Sequence, residues 1–452
     1  MESLKRRLTL LQATAINMID MVGIGPFVVL PLVIREFHSP LFIWAWVAGA
    51  VLALIDGAIW SELGAAYPLA GGSYNFLRIA YGPKWGRLMS FLFVWQTAIQ
   101  APMVLASGSI GFATYLRYLA PVIEPWQQKA VSVLVILLVT ALLYRKIESV
   151  GRLSLFLWSS VLVTMGWIIA GGLLHHEANF SLPVLPDHSS DVFSTAFLFP
   201  LAYAGQKTVY SYLGYYNVCH LGSEIQKPEQ NIPRSIFISI LGIATLYLCM
   251  NISIVSVIPW QEAQHFDFVI SVFMEKAFGG TAARIATGLV LVVAFSSLFA
   301  VLLGYSRVPY AAARDGNFFK VFGRLHPTKD FPHISLLFIA ALAIVFSFFF
   351  SLKQVISAIL AMRILVQFIA QAIGVVRLRQ KNGTKGLPFK MWLYPLPVIV
   401  SVLIWVALFV STKAFAVWGT CMALAGVVVF YIKERNTKKG ATAPDGFLFE
   451  KE

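Results

Sequence analysis

The stretch Gly23-Ile24-Gly25-Pro26-Phe27 decides how this chain is read. It lies midway along an apolar run that extends from Leu8 past Leu32. Two glycines weaken a helix, and a proline cannot donate to the carbonyl four residues back. If a helix stops near Val22 and restarts near Pro26, the proline sits at the first position of the new half, where it is well tolerated. The amides of Gly23 and Ile24, with the dipole of the half-helix, then offer a seat for an anionic group. Taken alone, the stretch reads equally as a proline kink with close packing at the glycines.

Outward from this stretch, the run is too long for a signal-peptide core, and no small-residue cleavage pattern follows it. It reads as a retained transmembrane helix. Of 452 residues, 58% are apolar and 12% charged, where a soluble domain carries roughly a quarter charged. A helix crosses a bilayer with about 20 apolar residues. Such runs fall near 8–34, 40–66, 86–118, 127–144, 150–174, 193–222, 234–258, 281–306, 334–351, 354–376, 392–411 and 413–432. The expectation is an all-α polytopic membrane protein of about twelve spans. Residues 1–436 form one transmembrane domain with no soluble domain. The longest outer connections lie around 175–191 and 261–281. The tail, 437–452, is polar and is expected to be disordered and cytoplasmic.

The net charge of +14 sorts by side. On these spans about 25 of the 35 Lys and Arg fall on the face that carries Lys5, Arg6 and Arg7, against about 7 on the other. By the positive-inside rule both termini face the cytoplasm. The basic excess is then a topology signal with anionic lipid headgroups as its partner, and no nucleic-acid site is needed.

A second irregular stretch, Tyr210-Ser211-Tyr212-Leu213-Gly214-Tyr215-Tyr216-Asn217, lies midway along the sixth span. Four tyrosines and an asparagine at membrane depth are poor lipid-facing residues. The two stretches fall in spans one and six, the equivalent helices of two five-helix halves. Broken helices at matching positions point to a transporter's binding site.

These segments resemble the amino acid–polyamine–organocation superfamily over nearly the whole chain. Besides the two breaks, the resemblance rests on Glu62-Leu63-Gly64 with Tyr67-Pro68-Leu69-Ala70-Gly71-Gly72-Ser73-Tyr74. It rests also on Glu224 with Lys227-Pro228-Glu229-Gln230-Asn231-Ile232-Pro233-Arg234, and on Arg307 to Tyr310 followed by Ala313-Arg314-Asp315-Gly316 in the loop after helix 8. It implies five-plus-five inverted repeats, about 8–174 and 193–376, with two additional helices at about 392–432 and alternating access around a central site. In relatives the first break holds the substrate carboxylate through backbone amides and a serine. Here Ile24 replaces the serine, and Pro26 replaces a residue with an amide, so two donors are lost. Tyr210 and Tyr212 stand where relatives carry the aromatic residues over the substrate, and cation–π contact with an amine suits them. Many relatives carry a lysine in helix 5 that serves proton or charge coupling; here the matching position is Ser159 or Ser160, so the coupling mode does not carry over, and H+ or Na+ coupling, and exchange against net uptake, are left open. Relatives that bind a disulfide-linked heavy subunit carry a cysteine between helices 3 and 4. Residues 118–128 have none, so a stand-alone transporter is expected.

Ionisable residues inside spans are functional candidates by default. Asp20, one helical turn before Gly23, either pairs with a substrate ammonium, takes a proton, or pairs with a neighbouring helix. Asp56 reads as a bridge between neighbours. Lys207 and Arg363 either replace the lost carboxylate clamp or neutralise a buried acid such as Asp56. The expected substrate contacts are Asp20, Gly23, Ile24, Gly25, Pro26, Gln96, Tyr210, Ser211, Tyr212 and Gly214; Gln100 joins Gln96 as a polar contributor to the cavity. No cofactor is called for: Cys219, Cys249 and Cys421 read as packing residues, and His175-His176 as part of a solvated loop. A membrane enzyme lacks a cluster for acid–base or metal chemistry, and a channel lacks a repeated filter or charged rings. The reading is a secondary carrier of amino acids or related amines across the cytoplasmic membrane. The alternative is a permease selective for polyamines or organic amines.

Overall fold

The computed structural model describes residues 4–177, 180, 194–349, 352–412 and 414–440, with the backbone alone for 352–357 and 436–440. Among them the chain is all-helical and forms no strand. Helix α1 (Leu10–Met21) opens with a capping box. The Gln12 amide donates to the Thr9 hydroxyl at 3.3 Å, and the Thr9 amide donates to the Gln12 side chain at 3.0 Å. It stops at Met21, and α2 (Gly25–Phe37) continues at an angle of 44°.

Next come α3 (Ile43–Ala66), α4 (Ser73–Leu119), α5 (Pro125–Leu143) and α6 (Ile147–His175). Then follow α7 (Thr195–Tyr212), the single turn α8 (Asn217–His220), α9 (Pro228–Val257), α10 (Trp260–Ala263) and α11 (Val269–Phe278). The rest are α12 (Gly280–Tyr305), α13 (Arg307–Arg314), α14 (His333–Phe349), α15 (Leu352–Arg363), α16 (Gln371–Asn382), α17 (Leu396–Ser411) and α18 (Ala414–Gly440). A π-helical segment, Ile364–Ala370, joins α15 to α16.

Eight of the described helices are long and apolar enough to cross a membrane, and nine spans result when α1 and α2 count as one broken span. Each of the twelve expected spans has a helix at its place. Three fall short of that test: α7 is too polar, and α14 and α17 have only 17 and 16 residues. By length and composition this is a polytopic membrane protein.

Several boundaries differ from the sequence reading. Helix α4 begins at Ser73, because Gly82, at φ 68°, takes up a bend that lets two helical pieces run on. The expected loop after helix 8 is the helix α13. The connection at 261–281 is not a bare loop: α11 buries Val269, Ile270, Phe273 and Met274 against α12, α6 and α9. His175 ends α6 rather than lying in a loop. Helix α18 continues through Gly440, so the expected tail is helical at 437–440, and 441–452 lie outside the described residues.

Helices α1, α3 and α7 pack with α9, while α4 packs with α12, α14 and α15. At the face carrying the amino terminus, the Leu8 amide donates to the Glu224 carbonyl at 2.9 Å. The Glu224 carboxylate takes two bonds from Arg307, Nε at 3.0 Å and Nη2 at 2.8 Å, and both side chains are buried. Arg307 Nη1 donates to the Leu303 carbonyl at 3.0 Å and the Ser306 hydroxyl at 2.9 Å. Breaking such a pair strands a buried charge, which costs about 3–5 kcal/mol. Glu224→Gln is therefore expected to lower the unfolding midpoint of the purified protein sharply. The paired change Glu224→Leu with Arg307→Met is expected to recover most of it. Equal midpoints for Glu224→Gln and the parent would show that the pair is not held.

The cavity between the two helix breaks

The end of α1 presents Asp20 and the carbonyls of its last turn, and the start of α2 presents amides. Helix α1 brings partial negative charge to the break and α2 partial positive. Among the described residues, the amides of Gly23, Ile24 and Gly25 find no acceptor. Pro26 takes the second position of α2, one residue later than the sequence suggested; it has no amide to contribute and does not line the cavity between the two breaks.

The second break starts after Tyr212. Leu213 is extended, and Gly214, at φ 126°, turns the chain into α8. Tyr247 of α9 ties the breaks together: its hydroxyl lies 2.8 Å from the Met21 carbonyl oxygen and 3.1 Å from that of Ser211. Asn217 makes a second tie. Its side-chain amide donates to Asp20 Oδ2 and to the Ala300 carbonyl, both at 2.8 Å. The Val218 amide donates to Asn17 Oδ1 at 2.9 Å, and the Ser297 hydroxyl donates to the Asp20 carbonyl at 3.3 Å.

Between the breaks lies a cavity of about 60 Å³. One water needs roughly 10–15 Å³ of such space, so it holds a small solute of a few heavy atoms. Asp20, Gly23, Ile24, Gly25, Tyr210, Ser211 and Gly214 line it, together with Arg363. Arg363 ends α15, where the helix loosens into its π segment; π turns recur at functional sites. The sequence reading missed Tyr216, Ser297 and Tyr305 on the cavity wall. Tyr216 lay inside the stretch quoted for the second break. Ser297 and Tyr305 lie within or at the end of an apolar run, and only the tertiary packing turns them inward.

Other expected site residues are elsewhere. Two residues on from Tyr210 is about 200° around the helix, so Tyr212 points away and packs edge-on against Trp46 and Tyr247. Gln96 is buried in α4 and, like Gln100, does not line the cavity. Ser159 and Ser160 donate to their own helix, at Phe156 and Leu157.

Neither unusual cation pairs with Asp56. That carboxylate is buried and accepts from Trp60 Nε1 at 2.8 Å, Tyr215 Oη at 2.5 Å, Ser401 Oγ at 3.2 Å and Trp405 Nε1 at 3.3 Å. Four donors replace a counter-charge and bind α3, the second break and α17 together. Lys207 is away from the cavity, where it pairs with Glu36 at the end of α2. Both partners of that pair are partly exposed, and such pairs contribute about 1 kcal/mol or less. Lys207→Gln is expected to leave solute uptake within about twofold of the parent. A tenfold loss in a vesicle assay would return Lys207 to the site.

Buried polar groups at membrane depth are tolerated where they serve a pathway or a site. Here they converge on one cavity between two discontinuous helices of an apolar bundle, which is the architecture of a solute carrier. The sequence profile of the amino acid permease family matches residues 8–432, so the chain belongs to that family and is a transporter, not an enzyme. It is 26% identical to the human cystine/glutamate transporter, over 95% of this chain and 85% of that one. It is 24% identical to a branched-chain amino acid permease of Lactococcus lactis, over 90% of each. With human cationic amino acid transporter 4 it shares 23% identity, over 99% of this chain and 69% of that one.

Proposed function

We propose that this protein is a secondary carrier that moves a small amino acid across the cytoplasmic membrane by alternating access around the cavity between α1–α2 and α7–α8. The observation that carries this is Asp20. It is an acid at membrane depth, set at the negative end of a broken helix, facing a cavity that the second break also lines. A substrate ammonium there meets the Asp20 carboxylate and the face of Tyr210, and both interactions strengthen where water is excluded. The names of the similar proteins support an amino acid as the solute.

In this reading the twelve helices all cross the bilayer. Residues 8–174 and 193–376 form two inverted five-helix repeats, and residues 392–432 supply two additional helices. Residues 1–436 make up the transport domain and 437–452 a cytoplasmic tail. Both termini face the cytoplasm, where the basic residues meet anionic headgroups. The Glu224–Arg307 pair then closes the inner side of the site. The driving force is an H+ or Na+ gradient or exchange for an internal solute, and imposing each separately identifies it.

The test is uptake into proteoliposomes of the purified protein with a panel of labelled amino acids. Saturable uptake of at least one, accelerated by an imposed ion gradient or by solute loaded inside, is the expected result. No uptake of any amine-bearing solute by well-folded protein would remove the reading.

A further inference from the structure

We infer that Arg363 holds the carboxylate of the transported solute, so that the site selects a zwitterionic amino acid and rejects the matching decarboxylated amine. This rests on the carrier reading above and goes further, because it assigns the second charge in the cavity.

Arg363 is 3% exposed and lines the same cavity as Asp20. A buried guanidinium ordinarily has a carboxylate partner, because an unpaired ion in a low-dielectric interior is strongly disfavoured. The other buried arginine among the described residues obeys this rule: Arg307 is held by Glu224, and even the part-buried Arg379 is held by Glu62, through Nε at 2.7 Å. Arg363 takes part in none of the ion pairs among the described residues. Its Nη1 donates to the Tyr216 hydroxyl, while its buried Nε finds no acceptor. Its guanidinium carbon lies 5.2 Å from the centre of the Tyr305 ring and 5.9 Å from that of Tyr216. Two aromatic faces thus fix the plane of a fork whose inner edge is unsatisfied, the geometry in which arginine takes a carboxylate.

The charge balance points the same way. Asp20 and Arg363 are the two ionisable side chains of opposite sign on the cavity wall. A zwitterion matches both, whereas a polyamine places added positive charge beside Arg363. The first break, with Ile24 and Pro26, offers fewer donors for a carboxylate than the resemblance implies. A guanidinium from the end of α15 on the same cavity supplies what is missing.

The experiment compares matched pairs in proteoliposomes: alanine with ethylamine, serine with ethanolamine, ornithine with putrescine. It uses the parent, Arg363→Gln and Arg363→Lys. The parent is expected to favour the amino acid in each pair. Arg363→Gln is expected to lose amino acid uptake on the order of 100-fold while amine uptake stays level or rises, so that the ratio inverts. Arg363→Lys, a charge without the fork, falls between. A purely structural pairing of Arg363 with Asp20 predicts that both members of each pair fall together, and that result would overturn the inference. So would a parent that prefers amines. Pairs are added for the amino acids that the parent carries in the panel above, and a parent that carries nothing in that panel defeats the carrier reading itself and the inference with it. One that carries amines alone defeats only the inference.

Discussion

Asp20→Asn is expected to lower uptake of amino acids by at least about 30-fold, with folding preserved. The substitution keeps the shape and an oxygen that accepts from Asn217 Nδ2, which now lies 2.8 Å from Asp20 Oδ2. The backbone contact from Ser297 to the Asp20 carbonyl is untouched. What disappears is the negative charge facing the substrate ammonium in a water-poor cavity. Removing one partner of a buried charge pair typically costs 2–5 kcal/mol, about 30-fold at the low end. Initial rates in proteoliposomes measure the effect, and an unchanged unfolding midpoint shows that it is not misfolding. Asp20→Glu separates charge from position: it retains charge but pushes the carboxylate into a small cavity. Full uptake by Asp20→Asn would take the acid out of the site.

Gly214→Ala is expected to abolish transport and to destabilise the protein by about 2–5 kcal/mol, combining a strained backbone with overpacking. Gly214 sits at φ 126°, a conformation that side chains with a Cβ rarely adopt. A Cβ there would lie 2.8 Å from the Met21 nitrogen and 2.9 Å from the Asp20 carbonyl carbon. Both are backbone atoms at the end of α1, so no side-chain rotation relieves the contact. The two breaks must separate, and Asp20 moves with them. Gly205→Ala is the control in the same span. That glycine lies within α7, and a Cβ meets nothing within 4 Å. A Gly214→Ala protein with the parent's midpoint and uptake rate would show that the breaks do not touch as described.

The membrane class and both breaks were legible because a bilayer imposes strong local rules. Apolar length, basic-residue asymmetry and Gly–Pro interruptions are all written along the chain. Asp20 was legible for the same reason: an acid at membrane depth is conspicuous. Tyr212 was misplaced because neighbouring positions on a short aromatic helix differ only in azimuth, which composition does not record. Lys207 and Arg363 looked alike in sequence, each a lone cation in an apolar run. Glu36, at the end of α2, pairs with the first; among the described residues no acid lies within ion-pair distance of the second, and Asp20 shares its cavity.

The sequence by itself determined that this chain lives in a membrane, breaks two of its helices, and carries charge between them. Those properties depend on residues close together along the chain. Only the tertiary structure decided which polar groups share a cavity: Asp20 from α1, Tyr210 from α7, Tyr305 from α12 and Arg363 from α15. It likewise gave Asp56 four neutral donors in place of a cation. The reason is physical. In an apolar solvent a buried charge is stabilised by whatever partner the packing delivers, and packing joins helices that are hundreds of residues apart.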